Sequence, residues 1–177
     1  MNHRAPVARV ACPRGIRPTQ GFVRRSLFSR LGDGIRGTRM LELFAGSGAV
    51  GIEALCRGAE FAVFVDSSRE AAEAIRKNLD RAGASDQARI MTRDVSAGIR
   101  QLARSGNAFD WCFADPPYGT PDLAAKLESL SLVIAEAGLF ILEQSNLDRV
   151  PDLPGFAIEK QARLRDVRLG FYRRLLG

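Results

Sequence analysis

The 177-residue chain contains 26 Lys and Arg residues against 20 Asp and Glu residues, and 46% of its residues are hydrophobic. This apolar fraction excludes a disordered chain, and no apolar stretch approaches the roughly 20 residues that a bilayer requires. The three cysteines form no Cys-x-x-Cys pair and the single histidine is His3, so we expect no metal site, histidine triad or histidine general base. We predict one domain over residues 1–177, located in the cytoplasm and not in a membrane, whose chemistry uses carboxylates, backbone groups or a cofactor.

Charge is distributed unevenly along the chain. Residues 1–32 contain seven arginines and no acidic residue, residues 33–148 carry a net charge of −5, and residues 149–177 carry +4. Cationic chain ends suit phosphate recognition, although basic patches are often only solvated faces. An arginine-rich start is also found in organellar transit peptides, but here an amphipathic helical pattern follows too early for one.

The elements predicted from the sequence alternate regularly after an amphipathic N-terminal helix. That helix covers residues 19–31, with Thr19 as its N-cap. The predicted strands cover residues 39–44, 61–66, 88–95, 109–115 and 139–145, and the predicted helices cover 47–58, 68–83, 96–106 and 121–138. Two further strand-like runs, 156–165 and 167–176, have no helix between them and predict an antiparallel hairpin.

This alternation predicts the fold class. Strands that are apolar on both faces and alternate with helices are typical of a parallel sheet covered on each side. We therefore predict a doubly wound α/β fold with a mostly parallel, seven-stranded sheet, an N-terminal helix and a C-terminal antiparallel hairpin. Residues 1–32 form the basic N-terminal segment and helix of this domain.

A glycine-rich loop follows the first predicted strand. Gly46, Gly48 and Gly51 satisfy G-x-G-x-x-G between a strand and a helix, and Asp66 ends the next strand 20 residues after Gly46. In this context the loop lets the backbone approach a nucleotide-like cofactor, and the carboxylate can accept from ribose hydroxyls. The pattern by itself does not choose between NAD and S-adenosyl-L-methionine, and the glycines can also serve only a tight turn.

Two acidic positions favour S-adenosyl-L-methionine. Glu42 lies inside an apolar strand just before the loop, where it would repel a pyrophosphate but suit the cationic methionine end. Asp94 ends the third predicted strand and is followed by Val95. The Asp94 carboxylate can accept from an adenine amino group, and Val95 can contact the adenine ring. Acidic residues at such positions often only cap helices. The candidate cofactor-binding residues are Glu42, Phe44, Ala45, Gly46, Ser47, Gly48, Asp66, Ser67, Asp94 and Val95.

The fourth predicted strand ends in the turn Asp115-Pro116-Pro117-Tyr118. An exocyclic amine of a nucleobase is a poor nucleophile because its lone pair is delocalised into the ring, so methylation requires hydrogen-bond acceptors that localise it. The Asp115 carboxylate and the Pro116 carbonyl can each accept one N–H, the two prolines fix the turn, and Tyr118 can stack on the base. These four residues are the candidate catalytic residues, and they require no histidine.

Together these motifs resemble the class I S-adenosylmethionine-dependent methyltransferases that act on exocyclic amines, and more narrowly the bacterial 16S ribosomal RNA guanine-N2 methyltransferase family. The resemblance runs from about Arg17 to the end of the chain. It is carried by RPT (17–19), VRRSLF (23–28), LELFAGSGAVGIEALCRGA (41–59), FVD (64–66), NL (78–79), the Asp94 strand end, FD and DPPY (109–118) and RLGFYRRLL (168–176).

The resemblance implies methylation of guanine N2 in 16S ribosomal RNA, with ribosomal RNA or a small-subunit assembly particle as partner and a monomeric enzyme. Arg17, Thr19, Arg24 and Arg25 are the candidate RNA contacts, because Lys and Arg contacts to phosphate supply most sequence-independent affinity. The sequence departs from the family pattern at Gln20-Gly21, where the family has Thr-Asp, and at Arg25, where it has Glu.

Other functions stay open at this point. The DPPY turn fits adenine N6 or cytosine N4 methylation in DNA or another RNA equally well. A nicotinamide-dependent oxidoreductase would use the same glycine loop but would leave the turn unexplained. A non-catalytic RNA-binding protein of this fold would be expected to have a damaged Asp115 turn, and here the turn is intact.

Overall fold

The structure is a computed structural model that describes residues 18–176, with side chains described from residue 21 onward. The helices are α1 (Pro18–Leu31), α2 (Ala49–Cys56), α3 (Arg69–Ala82), α4 (Val95–Arg104) and α5 (Leu123–Lys126). The strands are β1 (Arg39–Leu43), β2 (Phe61–Asp66), β3 (Ala88–Thr92), β4 (Phe109–Ala114), β5 (Ile134–Ser145), β6 (Phe156–Leu164) and β7 (Val167–Arg174). Three short 3₁₀ segments lie at Gly32–Ile35, Ser85–Gln87 and Leu130–Leu132.

The seven strands form one sheet in the order β3-β2-β1-β4-β5-β7-β6. The five strands at one side of the sheet are parallel to one another, namely β3, β2, β1, β4 and β5. Strand β7 runs antiparallel to both β5 and β6. Helices α1, α2 and α3 cover one face of the sheet, and α4, α5 and the 3₁₀ segment Leu130–Leu132 cover the other. The predicted doubly wound α/β fold with a C-terminal antiparallel hairpin is therefore confirmed.

Helix α1 is anchored by apolar residues on its inner face. Leu27 and Phe28 are fully buried, and the Phe28 ring meets Trp111 of β4 edge to face at a centroid distance of 6.4 Å. The helix begins at Pro18, so Thr19 is its second residue and the predicted N-cap is wrong. Proline suits the first helical position because its fixed φ is helical and its missing N–H would be unpaired there.

The predicted helix over residues 121–138 is wrong. Only the four residues of α5 are α-helical in that range, and β5 already begins at Ile134, where it pairs with Phe109 of β4. Ala137 has a φ of +56°, and a Cβ at Gly138 would lie 2.7 Å from the Ala135 carbonyl oxygen, which marks an irregularity inside the strand. Val133 and Ile134 are buried in the sheet core, where tertiary packing overrides the helical spacing.

The strand predicted over residues 139–145 begins earlier, at Ile134, and the other predicted elements agree with the structure to within about three residues. Strand β3 ends at Thr92, three residues before the predicted end, because Asp94 is the N-cap of the next helix. Within residues 18–176, no helix is long and apolar enough to cross a membrane. The predicted single domain over residues 1–177 stays a prediction, and Arg17 lies outside the described residues.

Candidate active site

The glycine loop joins β1 to α2 through left-handed backbone positions. Gly46 and Gly48 have φ values of +52° and +72°, a region that favours glycine. The Gly48 amide donates to the Ala45 carbonyl at 2.7 Å, which closes the turn. The Asp66 carboxylate accepts from the Gly46 amide at 2.9 Å and from the Ser68 amide at 2.9 Å. The end of β2 therefore holds the loop in place.

Gly51 is required for a different reason, namely close packing. A Cβ at this position would lie 2.4 Å from Cε1 of Phe64 and 2.8 Å from Oε2 of Glu42. Helix α2 therefore packs directly on β1 and β2, and its first turn points at the carboxyl edge of the sheet.

Glu42 ties β1 to the first turn of α2. Its carboxylate accepts from the Gly51 amide at 2.7 Å and from the Val50 amide at 3.3 Å, and the residue is only 4% exposed. Burial raises the pKa of Glu42 to about 8, although the two amide hydrogen bonds oppose the shift. Glu42 thus holds the loop and also forms part of the cavity beside it.

That cavity, which we call the loop cavity, has a volume of about 130 Å³. Its lining is Val23, Arg24, Leu27, Glu42, Phe44, Ala45, Gly46, Ser47, Ala49, Phe113, Asp115 and Glu143. Five predicted cofactor-binding residues therefore meet there, joined by the predicted catalytic Asp115.

Arg24 of α1 reaches into the loop cavity and not toward solvent. Its side chain is 16% exposed, and its Nε donates to the carboxylate of Glu53 on α2. Its Nη1 is buried and has no hydrogen-bond partner among the described residues. This placement argues against the predicted RNA contact for Arg24, because a paired and buried guanidinium is not available to a phosphate backbone.

The Asp115-Pro116-Pro117-Tyr118 turn leaves β4 at the same edge of the sheet. Asp115 is open to solvent on one side, yet desolvation raises the pKa of its carboxyl to about 6. The Pro117 carbonyl accepts from the Thr120 amide at 3.1 Å and from the Thr120 hydroxyl at 2.5 Å. Within residues 18–176, no donor reaches the Pro116 carbonyl. Asp115 and the Pro116 carbonyl are therefore both available to a ligand.

A second cavity, which we call the turn cavity, opens on the other side of Asp115. Its volume is about 440 Å³, and its lining is Phe22, Val23, Asp115, Pro116, Pro117, Tyr118, Glu143, Leu164, Arg165, Asp166 and Val167. Tyr118 is 71% exposed, so its ring is free to receive a planar group. All four predicted catalytic residues line this cavity, and Val23, Asp115 and Glu143 belong to both cavities.

Glu143 is a site residue that the sequence reasoning missed. Ala114 of β4 pairs with Leu142 of β5. Asp115 and Glu143 are the next residues of the two chain segments, so they lie side by side. Burial and the nearby Asp115 charge raise the pKa of Glu143 to about 7. The sequence does contain a signal for Glu143, namely a single acidic residue in the apolar strand run FILEQS. The same kind of signal indicated Glu42.

The remaining predicted cofactor residues do not line these two cavities. Asp94 is the N-cap of α4, where it accepts from the Ser96 amide at 2.9 Å and the Ala97 amide at 3.4 Å. The hydrogen bond from Ser96 lowers the pKa of Asp94. Val95 is only 3% exposed, which leaves little surface for a ring to contact, while Ser67 is exposed. Gly48 also lines neither cavity, and the cofactor roles of all ten residues stay predictions.

Of the predicted RNA contacts, Arg25 is exposed on α1, as a phosphate contact requires. Arg17 lies outside the described residues, and so does the side chain of Thr19. Among the described residues there is no group of three or more His, Cys, Asp or Glu side chains placed to hold a metal ion.

The sheet order, the glycine loop and the DPPY turn at one sheet edge define a class I methyltransferase fold. A family model described as Conserved hypothetical protein 95 matches residues 8–173. Ribosomal RNA small subunit methyltransferase D of Escherichia coli is 32% identical over 145 residues, which are 79% of this chain and 70% of that protein. YlbH of Bacillus subtilis is 33% identical over 141 residues, 78% of this chain and 77% of that protein. The chain belongs to this ribosomal RNA methyltransferase D family.

Solved structures agree with the family assignment. The yhhF protein of Escherichia coli has a TM-score of 0.80 and 28% identity, with 95% of this chain and 92% of that chain covered. SMU.776, solved in complex with SAH, has a TM-score of 0.71 at 14% identity, a likeness of fold, with 87% of this chain and 49% of that chain covered. The comparisons support the methyltransferase family that the sequence predicts.

Proposed function

We propose that this protein transfers a methyl group from S-adenosyl-L-methionine to the exocyclic N2 of a guanine in 16S ribosomal RNA. The observation that carries the proposal is the position of Asp115, which lies between the loop cavity and the turn cavity. A cofactor in the first cavity and a base in the second would meet at this residue. Membership of a ribosomal RNA methyltransferase family supports RNA as the substrate.

The residues of the loop cavity suit the methionine end of the cofactor. The unpaired, buried Nη1 of Arg24 offers a donor for a carboxylate, and the buried carboxyl of Glu42 offers an acceptor for an ammonium group. Gly46 and Gly48 keep the loop free of side chains where the cofactor would approach. When bound, the cofactor supplies an electrophilic methyl group on a sulfonium sulfur.

Asp115 and the Pro116 carbonyl would prepare the amine for attack. Each accepts one N–H of the amine, which localises the nitrogen lone pair and directs it toward the loop cavity. As the nitrogen takes the methyl group and gains positive charge, the bond between the methyl carbon and the sulfur would break and leave S-adenosyl-L-homocysteine. The Asp115 carboxylate would accept the proton released from the nitrogen. The raised pKa of Asp115, about 6, makes it a better proton acceptor than an ordinary aspartate while leaving it mostly ionised at pH 7. Placement of the two reactants supplies much of the remaining acceleration.

Tyr118 and Arg25 would hold the RNA. The exposed Tyr118 ring can stack on a flipped base, and Arg25 can contact a phosphate. The substrate is either free ribosomal RNA or a small-subunit assembly particle. The predicted monomeric state and cytoplasmic location stay predictions.

The test is a methylation assay with labelled S-adenosyl-L-methionine and RNA from cells that lack the gene. Both free RNA and isolated small-subunit particles are offered, and the labelled nucleoside is identified by mass spectrometry. N2-methylguanosine at one position of 16S ribosomal RNA is expected. Label in N6-methyladenosine or N4-methylcytidine would instead support the alternative amine substrates.

A further inference from the structure

Glu143 has a position that methyl transfer at Asp115 does not explain. It lies on β5 immediately beside the Asp115 end of β4 and belongs to both the loop cavity and the turn cavity. Positions 113 and 115 of β4 and 141 and 143 of β5 alternate onto the same face of the sheet, the face covered by α1. Two carboxylates thus stand side by side where the target base would enter.

Within residues 21–176, the Glu143 carboxylate has neither a hydrogen-bond donor nor an ion-pair partner. Burial without a donor is costly for a carboxylate, and its near neighbour Asp115 makes the arrangement less favourable still. Neither nearby guanidinium pairs with Glu143: Arg24 in the loop cavity donates through its Nε to Glu53, and Arg165 in the turn cavity lies over the Phe22 ring at 5.2 Å. A ligand that brings N–H donors would relieve this cost.

Guanine carries such donors next to its reactive amine. Its Watson–Crick edge presents the two N2 hydrogens and, on the adjacent ring atom, the N1 hydrogen. Adenine at N1 and cytosine at N3 present an unprotonated nitrogen beside their exocyclic amines, and that lone pair would face a carboxylate with repulsion. A second carboxylate beside the activating one therefore distinguishes guanine from the other amine-bearing bases.

We infer that Glu143 is the specificity-determining residue of this enzyme, and that its carboxylate accepts the N1–H of the target guanine while Asp115 and the Pro116 carbonyl accept the N2 hydrogens. The inference rests on the proposed function and adds the reason for guanine selection. A site whose carboxylate accepts an N–H from the correct base rejects a base that lacks this N–H, because the carboxylate is then left without a hydrogen bond.

The test uses RNA in which the mapped target nucleotide is guanosine or 2-aminopurine, introduced by ligation of synthetic pieces. 2-Aminopurine keeps the N2 amine, but its N1 is an unprotonated acceptor. Single-turnover rates are measured at pH 8, where Glu143 is ionised. The wild-type enzyme should prefer guanosine by roughly 10- to 100-fold, the range for one good base contact. Glu143→Gln, whose amide can donate to an unprotonated N1, should shrink or reverse that preference.

Two controls separate specificity from other losses. Asp115→Asn should slow both substrates and leave their ratio unchanged, and urea denaturation shows whether Glu143→Gln is folded. A wild-type enzyme that methylates both bases equally would overturn the role of Glu143 without any variant, and an unchanged ratio in Glu143→Gln would do the same. A wild-type enzyme that methylates neither base at N2 would instead overturn the proposed function itself.

Discussion

The guanidinium of Arg24 on α1 donates to the carboxylate of Glu53 on α2, and this ion pair joins the N-terminal helix to the helix that follows the glycine loop. Glu53 also accepts from Arg57 at 2.6 Å. The ion pair holds the Arg24 guanidinium at the wall of the loop cavity, with its Nη1 buried and unpaired. Of the two neighbouring arginines, Arg24 thus faces the loop cavity and Arg25 faces solvent.

The first prediction concerns Arg24 and the cofactor. Arg24→Ala should weaken binding of S-adenosylhomocysteine by about 1.5–3 kcal/mol, roughly 10- to 150-fold, because a charge-assisted hydrogen bond to the carboxylate is lost. Isothermal calorimetry measures this change. Glu53→Gln serves as a control, because it removes the ion pair but keeps the guanidinium, and it should lose less affinity. An Arg24→Ala protein that binds as tightly as the wild type would refute the assignment.

The second prediction concerns Arg25 and the RNA. Arg25→Ala should lower RNA affinity and reduce the slope of log K against log salt by about 0.7–0.9, the contribution of one phosphate contact. Filter binding over a series of salt concentrations gives this slope. Binding of S-adenosylhomocysteine should stay unchanged, in contrast to Arg24→Ala. If the slope does not move, Arg25 belongs to a solvated face.

The third prediction separates catalysis from binding at Asp115. Asp115→Ala should reduce the single-turnover methylation rate by roughly 10²–10³, the usual effect of removing one group that stabilises developing charge. Cofactor affinity, measured by calorimetry, should remain nearly constant. Tyr118→Phe keeps the aromatic ring and should stay near the wild-type rate. A near wild-type rate in Asp115→Ala would show that the amine is activated elsewhere.

The fourth prediction concerns the packing of Gly51. Gly51→Ala would place a methyl group 2.4 Å from the Phe64 ring, so it should lower the free energy of unfolding by about 1–3 kcal/mol, as overpacked sites do. Urea denaturation measures the loss. Gly34→Ala is the matched control, because a Cβ there meets nothing within 4 Å, and it should change stability by less than about 0.5 kcal/mol.

The fifth prediction concerns the buried Glu42. The pKa of Glu42 is about 8 in the folded protein, against 4.5 for an ordinary glutamate. Between these two pH values the folded protein keeps the Glu42 proton, whereas the unfolded chain has released it. The free energy of unfolding should therefore fall as the pH rises from about 4.5 to about 8. Glu42→Gln cannot lose a proton there and should show a smaller fall. Equal slopes for the two proteins in urea denaturation at pH 5 and pH 8 would contradict this.

Several elements were predictable because their signals are local. The strands β1, β2 and β4, the helices between them and the final hairpin follow from hydrophobic period, glycines and prolines within a few residues. The prediction of a helix over residues 121–138 was wrong because a short apolar run there fits a helix and a buried strand equally well. In the structure this run packs into the sheet core and β5 begins within it.

The sequence by itself determined the fold class, the glycine loop, the DPPY turn and the family, since each is written in residues that are close together in the chain. Tertiary structure alone decided that Glu143 stands beside Asp115 and that Arg24 turns to Glu53 and the loop cavity. These partners lie 28 and 29 residues apart. Which side chains share a cavity depends on strand order and on which helix covers which face, and these are set by packing of the whole sheet.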